Sequence, residues 1–171
     1  MRTRVAGPRS GYALVVVRGG TSRTLWWGEA ADGDDVVAVR DGRVVTWANP
    51  DDCFAEAADL GWDVADDEPT LMDLTPALEW HARRRRALDA DAALNSWNLA
   101  GAVARSVGAP WGDRGVLADA CHTKLTTACV PWLAGLDTYA PRWTVAEERY
   151  LRRRLGAAFA LVAEQCDVRS Q

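Results

Sequence analysis

Residues 36–47 read VVAVRDGRVVTW, two β-branched runs (36–40 and 43–47) joined by Asp41-Gly42 alone. A two-residue Asp-Gly connection is the strongest short-range hairpin signal, because the type I′ turn it favours needs positive φ at both central residues. Upstream, YALVVVR at 12–18 and RTLWWG at 23–28 flank Gly19-Gly20 and read as another hairpin. Linked through the acidic loop 29–35, the four runs predict an N-terminal four-stranded antiparallel β-meander over residues 1–48. Residues 14–17 are apolar without alternation, which places the first strand centrally or under cover on both faces. Trp26 and Trp27 must point to opposite faces of theirs. Either a helix covers the second face or one indole is offered to a partner.

Beyond residue 48 the sequence reads as helical. Asn49 as N-cap, Pro50 at the first helical position, Asp51 and Asp52 in the first turn and Gly61 past the end punctuate a helix over 50–60. Residues 61–71 (GWDVADDEPTL) read as an acidic connection. Thr75-Pro76 opens a helix to about residue 87, and another spans 89–107, stopped by Gly108. A further helix over 113–128 carries Leu117, Cys121, Leu125 and Ala128 on one stripe. In the last helix Thr144 and Glu147 form a capping box ahead of Leu151, Leu155, Phe159, Val162 and Cys166. Strands first and about five helices after, without β-α-β alternation, give an α+β fold, with residues 1–171 expected to form one domain.

A chain of 171 residues buries enough surface to form a core without disulfides or metal, so Cys53, Cys121, Cys129 and Cys166 read as ordinary buried thiols. The longest strongly apolar run, 13–17, falls far short of the ~20 residues of a membrane helix, and no leader pattern is visible. A soluble, cytoplasmic protein is expected. Charge is unevenly placed: residues 29–79 hold fifteen acids against Arg40 and Arg43, a net of −13, whereas 81–171 carry a net of +4. With a pI near 5.2 the chain is poorly suited to nucleic acid, which demands a basic face. An acidic surface favours a basic protein partner.

No catalytic constellation emerges. Cys121-His122 are adjacent, and neighbours on a helix diverge by about 100°, which is wrong for proton transfer; His81 would have to approach Cys121 through the fold. Zinc clamps are missing around Cys121, His122 and Cys129. Asp32, Asp34 and Asp35 in DGDD lack the glycine and bidentate glutamate of a calcium loop. Gly19-Gly20 lies in a hairpin without a P-loop lysine, and no serine has a nucleophile-elbow setting. The sequence thus implies no catalytic residue, no metal and no cofactor. Arg83–Arg86 and Arg152–Arg154 read as solvated helix faces.

Surface recognition has better support. Nine tryptophans exceed what a small domain buries easily, and Trp and Arg dominate interface hot spots. Trp62, framed by Asp63, Asp66, Asp67 and Glu68, reads as an anchor for a basic partner or as a residue pinning its loop to the core. In LNSWNLAGAVARSVG (94–108), Asn95 and Asn98 share a helical face and read as amides that fasten a neighbouring loop; the alternative is that Asn98 with Arg105 or Arg114 lines a shallow polar pocket. DGRVVTWANPDDCFAEAADLGW (41–62), followed by that segment, resembles small bacterial immunity proteins that neutralise polymorphic or contact-dependent toxins. The resemblance implies a non-enzymatic protein that binds a toxin domain through an acidic surface, here Asp32, Asp34, Asp35, Trp62, Asp63, Asp66, Asp67 and Glu68. The alternatives are a small enzyme with a cleft containing His81, His122 or Cys121, and a regulatory domain self-associating through exposed Trp.

Overall fold

The computed structural model describes residues 5–166. β1 (Ser10–Arg18) and β2 (Thr21–Glu29) form the expected antiparallel hairpin, with Tyr12 opposite Trp27 and Arg18 opposite Thr21. β3 (Asp35–Val37) continues it on the far side of β2. β1 is interior to the sheet, as its run without alternation requires, and Leu14 is fully buried.

The meander stops after three strands. Asp41 and Gly42 do adopt φ of +55° and +73°, the left-handed values a type I′ turn needs. The hairpin they close, β4 (Val39–Arg40) with β5 (Arg43–Val44), is nevertheless a separate two-stranded sheet. The chain leaves β2 after Ala38, whose amide donates to the Trp26 carbonyl at 3.0 Å, and Val39 pairs with Ala6 instead. The fourth place is taken by β6 (Asp63–Asp73), which runs parallel to β1 and gives the order β3-β2-β1-β6.

The expected four-stranded antiparallel meander is therefore corrected to a mixed sheet. Its fourth strand comes from the acidic stretch read as a connection, inside the part read as wholly helical. The cause lies in β1, whose buried backbone needs hydrogen-bond partners on both edges. An edge strand tolerates acids, and Pro69 forfeits nothing where its missing N–H would face solvent or a bulge.

Two layers of helix enclose the sheet. On one face α1 (Pro50–Asp59) packs Cys53 and Ala57 against Ala13, Trp26 and Trp47. The other face carries Leu14, Val16, Leu25 and Trp27 beneath α2 (Thr75–His81), α3 (Ala90–Val107), α4 (Val116–Cys129) and α5 (Val145–Cys166). Trp26 and Trp27 thus enter separate cores, and both are buried. Each fully buried indole or leucine stabilises the fold by roughly 2 kcal/mol or more.

Local signals set the helix ends. Asn49 Oδ1 accepts from the Asp52 amide at 2.9 Å, and Gly61 follows the helix at φ +68°. The Thr144 and Glu147 box is reciprocal: the Glu147 amide donates to Thr144 Oγ1 at 3.2 Å and the Thr144 amide to Glu147 Oε2 at 2.8 Å. α2 ends by Ala82, earlier than expected, with Arg83 at φ +60°. α4 begins only after Gly115; it buries Ala118, Cys121 and Leu125, while Leu117, in its first turn, stays exposed. α3 is buried nearly all round and is the central helix of its layer. Among the described residues no helix is long and apolar enough to cross a membrane.

Candidate functional site

The acidic loop before β3 is built by short-range bonds. Gly33 takes φ +84°, the Asp34 amide donates to Asp32 Oδ1 at 3.1 Å, and the Ala30 amide donates to the Asp34 carbonyl at 2.8 Å. Two ties then fasten loop and strand to α3. Ser106 Oγ accepts from the Val37 amide at 2.9 Å, and Arg105 donates to the Asp35 carbonyl at 2.7 Å while its Nε lies 3.2 Å from Asp34 Oδ2.

Between this loop, α3, the 111–113 turn and α4 opens a cleft of about 400 Å³. Asp34 and Asp35 stand on one wall, Asp119, His122 and Thr123 on the opposite one, with Asn98 and Arg105 from α3 between them. The pairing of Asn98 with Arg105 in a polar pocket, read from the sequence, is realised; Arg114 is not among the lining residues. His122 Nε2 lies 3.4 Å from Asn98 Oδ1, and its ring meets Trp97 edge-on at 5.5 Å. Trp111 closes one end. Its indole packs where a Cβ on Gly101 would come within 3.3 Å of Nε1, and Arg154 stacks on its ring at 4.6 Å.

Sequence reasoning missed Trp111, Asp113 and Asp119 as cleft residues, and named His122 as one only in the enzyme alternative. The one local signal was Gly101, since a glycine inside a helix marks a close approach.

The second acidic stretch lies at the opposite edge of the sheet, three strand spacings or about 14 Å away. The two do not merge into one surface. Along β6 every residue except Met72 is exposed. Its pairing with β1 is interrupted on either side of Tyr12, so residues 67–69 loop outward. The Glu68 amide donates to Asp66 Oδ1 at 3.0 Å, which sets the bulge. Among the described residues, Asp63, Asp66, Asp67 and Glu68 form no ion pair. Val64, between Asp63 and Asp66, and Leu71, beyond Glu68, present bare apolar side chains, Leu71 with 67% of its surface open.

Trp62 precedes β6 and is half-buried, stacked on Trp26 at 5.6 Å between ring centroids. It pins the strand to the α1 core. Trp132 is the widely exposed indole, at 67%.

The residues weighed for an enzyme are not brought together. Cys121 is fully buried and its thiol faces the Glu147 carbonyl at 3.9 Å; burial, with Glu147 adding, pushes its pKa up to about 11. His81 packs on Phe159 and against Gly156, where burial and the charge of Arg152 lower its pKa. Glu147 and Gly156 are nine residues apart on α5, about 13 Å along its axis. His122 alone of the three lines the cleft. No group of three or more His, Cys, Asp or Glu among the described residues is placed to hold a metal ion.

The arginine runs also divide. Arg152 stacks on Trp80 at 4.0 Å and donates to its carbonyl at 2.9 Å, and Arg154 is committed to Trp111, leaving Arg153 exposed. Arg83–Arg86 are exposed past the end of α2. No protein-family model, curated protein or solved structure matches this chain at a significant level.

Proposed function

We propose that the chain is a non-enzymatic protein-binding module of the immunity type, which neutralises a basic toxin-like partner by docking it along β6. One observation carries this reading: an eleven-residue edge strand, exposed almost throughout, presents Asp63, Asp66, Asp67 and Glu68, without ion pairs among the described residues, near the bare side chains of Val64 and Leu71. Apolar anchors within a charged rim are the general anatomy of an interface. An unpaired strand edge also offers backbone groups to an extended segment of the partner. The carboxylates set the sign of that partner, speed its association and make the rate salt-dependent.

The test is capture from host lysate by the tagged chain and by a variant carrying Asp66→Lys, Asp67→Lys and Glu68→Lys. The native chain is expected to retain one stoichiometric basic protein, released at ~0.5 M salt where the Debye length is about 4 Å. The variant is expected to lose it. Retention of the same protein by the folded variant, or no basic protein on the native chain at low salt, overturns the reading.

A further inference from the structure

The cleft between the β3 loop and α4 is separate from β6 and has its own chemistry. Asp34, Asp35, Asp113 and Asp119 face it against one lining arginine, Arg105, so carboxylates outnumber guanidinium four to one. Arg105 is consumed by Asp34 and the Asp35 carbonyl on its own wall. The carboxylates of Asp35, Asp113 and Asp119 remain without ion pairs among the described residues. Carboxylates are joined here by an aromatic end wall, Trp111, and by the Asn98 amide. At about 400 Å³ the space lies within the range of small-ligand sites.

We propose that this cleft is a guanidinium-binding site. A guanidinium offers five N–H donors in one plane, enough to bridge carboxylates on facing walls while its face lies on an indole; an ammonium offers three donors on a point charge and no plane to stack. The protein uses both halves of that chemistry at the cleft's own borders. Arg105 bonds to the loop, and Arg154 stacks on the Trp111 ring. Loop and α3 are already fastened by Ser106 and Arg105, so the walls stand in place before the ligand arrives. The guanidinium is supplied either by an arginine side chain of a protein or by a free guanidine compound.

The test follows the Trp111 indole N–H and the Asn98 side-chain amide in ¹H–¹⁵N spectra, assigned with Trp111→Phe and Asn98→Asp. The probes are N-acetyl-arginine amide, N-acetyl-lysine amide and agmatine. Saturable shifts of both signals are expected with the arginine probe, with the lysine probe about tenfold weaker. Asp119→Asn and Asp35→Asn, on opposite walls and both at exposed positions, are each expected to weaken the arginine probe about tenfold while the rest of the spectrum stays native. Tighter binding of capped arginine than of agmatine assigns the site to a protein side chain, and the reverse order to a free guanidine; either order upholds the assignment. Absence of saturable shifts, equal binding of the lysine probe, or undiminished binding by both variants overturns it. Because the signals report only the cleft, failure here leaves docking along β6 standing, and the converse holds.

Discussion

Replacing Lys124, the chain's only lysine, with Met removes one specific arrangement. Lys124 Nζ donates to both carboxylate oxygens of Glu147 and to the Arg142 carbonyl, each at 2.8 Å, and so ties α4 to the start of α5. Glu147 is buried, with 6% of its surface open. The lysine hydrogen bond, followed by that from the Thr144 amide, holds the Glu147 carboxyl below its ordinary pKa. Breaking a fully buried pair costs about 3–5 kcal/mol, because the surviving charge is stranded. The Lys124 side chain is 27% exposed and the Thr144 amide still serves Glu147, so about 2 kcal/mol is the reasoned loss. For a chain of this size that is a fall in Tm of about 4–8 °C.

The pH dependence follows from the sign of the shift. A carboxyl with a depressed folded pKa contributes stability that is fully present above its unfolded value near 4.3 and disappears as pH falls through the folded value. In Lys124→Met the lysine's part of that depression, the largest, is removed while the Thr144 bonds remain. The gap between native and variant is therefore widest at pH 7 and narrows steadily below about pH 4. Urea melts of both chains from pH 7 to pH 3 measure it. A loss under about 0.5 kcal/mol at pH 7, or a gap that does not change with pH, refutes the assigned role of the pair.

Gly28→Ala is expected to cost about 3 kcal/mol, since its Cβ would lie 2.2 Å from the Ser10 carbonyl oxygen and 2.9 Å from Pro8 Cβ, prising β1 from β2. Gly20→Ala in the adjoining turn, with nothing within 4 Å but φ at +86°, is expected to cost only about 1 kcal/mol; equal losses in thermal melts would contradict the close approach. Burial is the first cause lifting the thiols of Cys53, Cys121 and Cys129, to about 12, 11 and 12. At pH 7.5 almost no thiolate exists at these positions, so iodoacetamide should leave all three unlabelled in the native chain and label them in guanidinium, as read residue by residue by mass spectrometry. Rapid native labelling of Cys121 would reopen a catalytic role for it.

What could be read from the sequence was local. The Asp41-Gly42 turn, the Asn49 cap, the Thr144 and Glu147 box and the α5 stripe each depend on residues within a few positions of one another, where propensity and pattern act directly. Trp26-Trp27 left open whether a helix or a partner covers the second face of the sheet, and α1 supplies the cover. β6 was hidden because its composition argues against a strand. Four acids and Pro69 in eight residues have low β propensity, and the decisive factor is the need of β1, about fifty residues upstream, for a second partner. The cleft was half-visible in the same sense. Asp34 and Asp35, and Asn98 with Arg105, stood out separately, but their convergence depends on α3 crossing beside β3. Leu117 was misplaced on the buried stripe of α4: it lies in the first turn of the helix, where it stays 38% exposed.

The separation of the two acidic stretches changes what the net of −13 implies. Summed along the chain it points to one large field; folded, it is two fields on opposite sheet edges with different physics. On β6 the carboxylates are exposed and form no ion pair among the described residues, so their attraction for a distant cation decays over the Debye length and weakens steeply between 0.1 and 0.5 M salt. In the cleft the carboxylates are exposed too, but they converge from facing walls, so a seated guanidinium would meet them at contact distance, where pairing is screened less than long-range attraction. A partner held by β6 alone should thus show salt dependence mostly in its association rate. One that also inserts a guanidinium into the cleft should keep a slow, salt-resistant dissociation. Measuring both rates across a salt series separates the two edges without a mutation, because long-range steering and short-range charge pairing respond to ions through different steps of binding.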